Sequence, residues 1–155
     1  MSISQRLREL GLSLPAVAPP VASYVPAVRH GGLVWTSGQL PMVDGALPVT
    51  GVVGDGPEQV SPEQATELAR TAALNALAAI AAKVGNLDAV VQVVKVVGYV
   101  ASDPAFTGQP GVVNGASDLL GEVFGEAGRH ARSAVGVSAL PLGAPVEIEL
   151  VVALG

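Results

Sequence analysis

The chain has 155 residues, a length suited to one domain. Half of the residues are hydrophobic, 3% are aromatic and 14% are charged, so the core is built from many small side chains and the surface is greasy enough to point to an oligomer. The net charge of −5 disfavours nucleic-acid binding through phosphates, and the lack of cysteine excludes disulfides, thiol nucleophiles and zinc thiolate sites.

Two histidines, His30 and His130, are too few for a histidine-rich metal site, and no metal or other cofactor is expected. The most apolar runs, Ala72 to Val84 and Val90 to Ala101, are each broken by polar residues and fall short of a span. Near the N-terminus Arg6 and Arg8 lead into Glu9 and prolines rather than an apolar run, so no signal peptide is read there. The expectation is a cytoplasmic protein without membrane contact.

Ser2 to Leu10 predicts a short amphipathic helix with Ile3, Leu7 and Leu10 on one side, ended by Gly11. Leu14 to Val21 carries Pro15, Pro19 and Pro20 and predicts an extended arm. Residues 1–21 are therefore taken as an N-terminal helix and arm, and residues 22–155 as the domain. Ala22 to Arg29 predicts a strand, His30-Gly31-Gly32 a hairpin turn and Leu33 to Ser37 a second strand. Pro48 to Val53 predicts a short edge strand.

Ser61-Pro62-Glu63-Gln64 is a helix start, with a capping serine, a proline at the first helical position and Gln64 closing a capping box. That helix should run to Lys83 and end at Gly85-Asn86. Ala89 to Ala101 predicts a strand with valines at both parities, hence apolar on both faces. Two helices cover one face of a small sheet, so the other face calls for a neighbouring subunit. Val112 to Phe124 predicts the second long helix, closed by Gly125 to Gly128.

The C-terminal stretch holds the densest set of polar groups in apolar surroundings. Ser133 to Ala139 and Val146 to Leu154 alternate as strands, and the reading places them side by side. Arg132 enters the first, and Glu147 and Glu149 lie in the second. Either Arg132 pairs with a glutamate at the sheet end, or its planar guanidinium receives a ligand carboxylate. The fold class is α+β: a mixed sheet with two helices packed on one face.

No GxGxxG, GxxxxGK[ST] or GxSxG motif is present. The proximity of Ser37 to His30 in sequence does not make a triad. On residue type alone Tyr24 is a packing residue and Asn114 a helix-terminal residue.

Trp35-Thr36-Ser37-Gly38-Gln39-Leu40-Pro41 resembles the TSGQ-hydrophobic-Pro motif of the RidA (YjgF) family, some of whose members carry a ribonuclease name. Ala131-Arg132-Ser133-Ala134-Val135, Leu140-Pro141 and Val146-Glu147-Ile148-Glu149 resemble its C-terminal signature in order and spacing. Ser23 to Val28 resembles its tyrosine segment, and Val113 to Ala116 its asparagine-bearing helix. The resemblance implies a chorismate-mutase-like fold, a homotrimer and clefts between subunits.

In catalytic members such clefts hydrolyse small reactive 2-imino and enamino acids, such as 2-aminoacrylate, to 2-keto acids and ammonia. Arg132 matches the arginine that holds the substrate carboxylate, and Glu147 the glutamate that helps position water. Tyr24, Ser37, Asn114 and Ala134 match positions lining the pocket. Ala134 stands where many members carry cysteine, Gly136 where glutamate is frequent, and the loop Gly125 to His130 differs and places His130 near Arg132. The alternative is a non-catalytic homotrimeric module that binds small carboxylate metabolites through Arg132. The acidic, aromatic-poor chain argues against a ribonuclease.

Overall fold

The computed structural model describes residues 1–17, 19–20 and 22–155. A five-stranded sheet carries two long helices on one face. The strands are β1 (Ala27–His30), β2 (Leu33–Thr36), β3 (Val90–Ala101), β4 (Ala131–Val137) and β5 (Val146–Leu154). The helices are α1 (Ile3–Glu9), α2 (Pro62–Val84) and α3 (Gln109–Phe124). The sheet order is β1-β2-β5-β3-β4, with β3 and β4 parallel and the other pairs antiparallel.

This order corrects the placement of the last two strands, which are not side by side. Helix α3 joins β3 to β4 as a crossover, so β4 lies parallel to β3 at the sheet edge. β5 then pairs with the other side of β3. Arg132 and Glu147 are thus separated by an intervening strand.

Several boundaries also move. The first strand begins at Ala27 rather than Ala22, because Pro26 has no N–H to give and its carbonyl accepts from Ser37 N at 2.8 Å where the pairing starts. No strand forms over 48–53; Val53 alone bridges to Val60 and Ser102. α3 starts at Gln109, earlier than expected, with Pro110 in its first turn. At α2, Ser61 Oγ accepts from Gln64 N at 3.1 Å, but the full reciprocal capping box is the one Ser2 and Gln5 make at α1.

α1 is docked on the domain. Leu7 is buried, Arg6 Nε donates to Glu122 O at 2.8 Å and Ile3 N donates to Asp88 Oδ1 at 2.6 Å. The arm is irregular over 12–17; of the rest of the arm, residues 18 and 21 lie outside the described residues.

The core lies between the helices and one face of the sheet. β5 sends Val146, Ile148, Leu150 and Val152 into it, and β3 sends Val93, Val96 and Val100. α2 meets them with a run of buried alanines plus Leu77 and Ile80. The opposite face is left open by the chain: Trp35 is 51% exposed, Val91 53% and Val135 42%. Among the described residues no helix is long and apolar enough to cross a membrane.

Two glycines fix where α3 sits. A Cβ at Gly115 would overlap the Thr66 carbonyl oxygen of α2, and one at Gly98 would run into the Val113 side chain. The helix is therefore pressed against both α2 and β3, with Asn114 between the two contacts. Gly115→Ala is expected to cost about 2 kcal/mol by overpacking, which lowers the melting temperature by roughly 4–8 °C in a chain of this size. Gly121, on the same helix, has no atom within 4 Å of the place a Cβ would take. Gly121→Ala is expected to raise stability by roughly 0.4–1 kcal/mol through helix propensity. Thermal melts of the two variants, one down and one up, check the packing.

Candidate active site

The first cluster forms where β4 runs beside α3. Arg132 is in register with Val96, which faces the helices, so its side chain emerges on the helix side of the edge strand. There Nη1 donates to Asn114 Oδ1 at 2.8 Å and to Ser117 Oγ at 3.2 Å, and Nη2 donates to Pro110 O at 3.1 Å. Positions 110, 114 and 117 follow helical spacing, so one stripe of α3 supplies all three acceptors.

All three acceptors are neutral. The ion pairs among the described residues are Arg6–Glu9, Arg70–Glu122 and Arg129–Glu126, so Arg132 has no carboxylate partner. This excludes the pairing of Arg132 with Glu147 or Glu149. Of the five guanidinium N–H groups, three are engaged and two remain for a ligand.

Behind Ser117 stands His130. Its Nε2 lies 2.9 Å from Ser117 Oγ and its Nδ1 lies 2.6 Å from Gly128 O. Pro110, Ser117 and His130 were not among the expected site residues. The helical offset of Ser117 from Asn114, three positions on, is the signal that points to it. Ala134 lies two residues beyond Arg132 on the same face, in register with Gly98, and is half-buried against the core.

The second cluster lies across the sheet. β5 pleats Glu147 and Glu149 away from the helices, beside Tyr99 of β3. Tyr99 Oη donates to Glu149 Oε1 at 3.0 Å. After β2 the chain crosses Glu147: Gln39 exchanges backbone bonds with Ile148 at 2.8 and 3.0 Å, which lays Gly38 directly on the glutamate. A Cβ at Gly38 would fall inside the Glu147 carboxylate, so any side chain there would push the glutamate out of its place. Burial, then the nearby Glu149 charge, holds the Glu147 carboxyl above the usual carboxylate range. Burial and the bond to Glu149 likewise push Tyr99 up.

Ser37 precedes Gly38, and its hydroxyl donates to Val25 O at 2.6 Å, tying β2 to the segment before β1. Tyr24 is 46% exposed and lines a small cavity with Pro26, Gly38, Leu40 and Asn75. Asn75 shapes that cavity from α2 by donating to the carbonyls of Leu40 and Met42, each at 3.0 Å.

The expected residues therefore divide. Asn114, Arg132 and Ala134 share the helix side of the edge strand, whereas Glu147 occupies the open face beside Gly38, which follows Ser37 and lines one cavity with Tyr24. Within one chain the guanidinium and the Glu147 carboxylate are on opposite faces. Among the described residues no group of three or more His, Cys, Asp or Glu is placed to hold a metal ion.

A family model described as "YjgF/chorismate_mutase-like, putative endoribonuclease" matches residues 4–154, from within α1 to the last strand. The Trypanosoma cruzi protein named TCP17 is 44% identical over 153 residues, covering 98% of this chain and 94% of that protein. The crystal structure of Atu1372 from Agrobacterium tumefaciens is 44% identical with a TM-score of 0.90, covering 99% of this chain and 94% of its own. A Shewanella oneidensis protein named as a "putative endoribonuclease" is 32% identical with a TM-score of 0.94, covering 99% and 100%. With the fold, the TSGQ segment against Glu147 and the arginine on the edge strand all in place, the chain belongs to the YjgF/chorismate mutase-like family.

Proposed function

We propose that the protein hydrolyses small reactive 2-imino acids, and enamino acids through their imine tautomers, to 2-keto acids and ammonia. The observation that carries this reading is Arg132: a guanidinium held in place by three neutral oxygens, with two N–H groups unspent. Such a group is built to receive a planar carboxylate.

The chemistry asks for little more. The iminium carbon is already electrophilic, so a clamp and a positioned water suffice. Arg132 takes the carboxylate. Glu147, as the carboxylate, orients the water and accepts its proton as oxygen adds to C2. Glu147 returns that proton to the amine, and ammonia leaves as the C2–N bond of the carbinolamine breaks and its hydroxyl gives its proton back to Glu147 to become the keto oxygen.

Because one chain carries these groups on opposite sheet faces, the pocket is assembled between copies, in a homotrimer. The open face with Trp35, Val91 and Val135 supports association, since that much apolar surface is costly in water. One subunit then supplies Arg132 and Asn114, and its neighbour supplies Glu147, Gly38 and Tyr24. The ribonuclease name borne by relatives finds no support in the electrostatics: the net charge is −5 and the open face presents Glu147 and Glu149.

Imino acids generated in situ by an amino-acid oxidase, with the remaining imine trapped by semicarbazide, test the activity directly. Arg132→Ala is expected to lower kcat/KM roughly 10- to 100-fold, the value of a charge-assisted bond, mainly through KM. Arg132→Lys is expected to recover little of it. Glu147→Gln should lower kcat instead. A wild type no faster than buffer overturns the enzyme reading, and retained binding of a 2-keto acid would then favour the carboxylate-binding module. Cleavage of RNA by the wild type but not by Arg132→Ala would favour the ribonuclease.

Mixing tests the shared pocket. When Arg132→Ala and Glu147→Gln subunits are unfolded together and reassembled, about a quarter of the pockets should receive both intact groups and activity should return. Mixtures that stay as inactive as either parent place both groups in one subunit's pocket.

The raised Glu147 carboxyl sets a pH signature. The catalytic form is the deprotonated one, so kcat/KM should fall as pH drops through a limb above the ordinary glutamate range. Glu149→Gln removes a neighbouring like charge, and the limb should move to lower pH. A pH–rate profile of the two proteins gives the comparison.

A further inference from the structure

We propose that His130 is a positioning residue for the carboxylate anchor, acting through Ser117 to hold the Arg132 guanidinium in its receptive orientation. The inference rests on the reading of Arg132 given above.

The direction of each bond follows from what its atoms can do. A backbone carbonyl only accepts, so the 2.6 Å contact to Gly128 O puts a proton on His130 Nδ1. In the neutral ring Nε2 is then bare and accepts from the Ser117 hydroxyl at 2.9 Å. With its proton turned toward His130, Ser117 presents its lone pairs to Arg132, whose Nη1 donates at 3.2 Å. The chain of donors runs one way, from Arg132 through Ser117 and His130 to Gly128.

The far end of this chain is held firmly. A side chain at Gly128 would run into the α3 backbone at Leu120 and Gly121, so the loop lies flat against the helix. The Gln92 side-chain amide donates to the carbonyl of Arg129, the residue between Gly128 and His130. His130 is therefore fixed on one side by the loop and on the other by the start of β4 at Ala131. Without the histidine, the Ser117 side chain is free to change rotamer and bond a carbonyl of its own helix, as serines in helices do, which carries Oγ away from Nη1. Nη1 then keeps only Asn114, and the guanidinium gains freedom to swing. The imidazole itself takes no part in the reaction, since both ring nitrogens are occupied.

Two substitutions separate the bonds of the ring. Asparagine reaches as far as Nδ1, so His130→Asn keeps the tie to Gly128 and loses Ser117. Glutamine reaches as far as Nε2, so His130→Gln offers an acceptor to Ser117. Binding of 2-oxobutyrate, a simple 2-keto acid, is measured by calorimetry, alongside imine turnover and a thermal melt for each variant.

His130→Asn and Ser117→Ala are expected to weaken binding about three- to tenfold, the value of one hydrogen bond. KM should rise to match, with kcat held. The double variant should bind no worse than Ser117→Ala alone, because both act in one chain. His130→Gln should return binding to within about twofold of the wild type. Wild-type affinity in His130→Asn, additive losses in the double variant, or no recovery in His130→Gln overturns the proposal. Arg132→Ala separates the two levels: if it binds 2-oxobutyrate like the wild type, the anchor is wrong and the relay falls with it. If it loses binding while His130→Asn does not, the anchor stands and only the relay falls.

Discussion

The pleat of the sheet is the constraint on which the rest depends. Side chains alternate between faces, and one face is buried under α2 and α3. Every odd-numbered residue of β5 from Glu147 to Ala153 must therefore look away from the helices, and Arg132, in register with Val96, must look toward them. No rotamer choice brings the two charges together in one chain. The split follows from the same alternation that makes the core.

That core is made of small residues, and the site benefits from its tightness. α2 offers alanines where it crosses the sheet, and glycines at 98 and 115 let α3 approach both neighbours closely. Asn114 and Ser117 are carried by the pinned helix, so the acceptors for Arg132 are placed by backbone packing rather than by a loop. The polar groups themselves work against stability. A cation without a partner acid and a carboxylate held above its usual range by burial are both offset by the apolar layer beside them.

Much of this was legible in the residues. The Ser61-Pro62 start, the Gly85 stop and the valine strand mark their elements because capping, positive φ and β-branching act locally. The alternation of 146–154 identifies the buried face of β5. Other features depend on distant partners. Ala22 to Pro26 has strand-like composition but finds no pairing partner, and Val53 bridges as a single residue because its neighbours leave the sheet. The placement of β4 beyond β3 is a topological outcome of the α3 crossover, which no local pattern encodes.

The site was legible in the same uneven way. Arg132 and Glu147 stand out as charges in apolar strands, and Gly38 lies in a recognisable motif. Ser37, in that same motif, turns out to brace Val25. Ser117 is marked only by its helical offset from Asn114 and His130 only by the altered loop before Arg132; their contact forms when the Gly125–His130 loop folds onto α3.

Assembly and chemistry are linked through one surface. The open face has to be covered for its valines and Trp35 to leave water, and that same face carries Glu147. Covering it with an apolar neighbour alone would desolvate the carboxylate further and drive it toward the protonated form, which cannot orient water as a base. A neighbour that brings a guanidinium to the edge of the covered region opposes that drift, because an opposite charge favours the ionised carboxylate. On this reading the separation of Arg132 and Glu147 within one chain is what makes the second copy necessary. In the proposed assembly the pocket forms only where the apolar surfaces have already met, so the two groups would be matched only between copies.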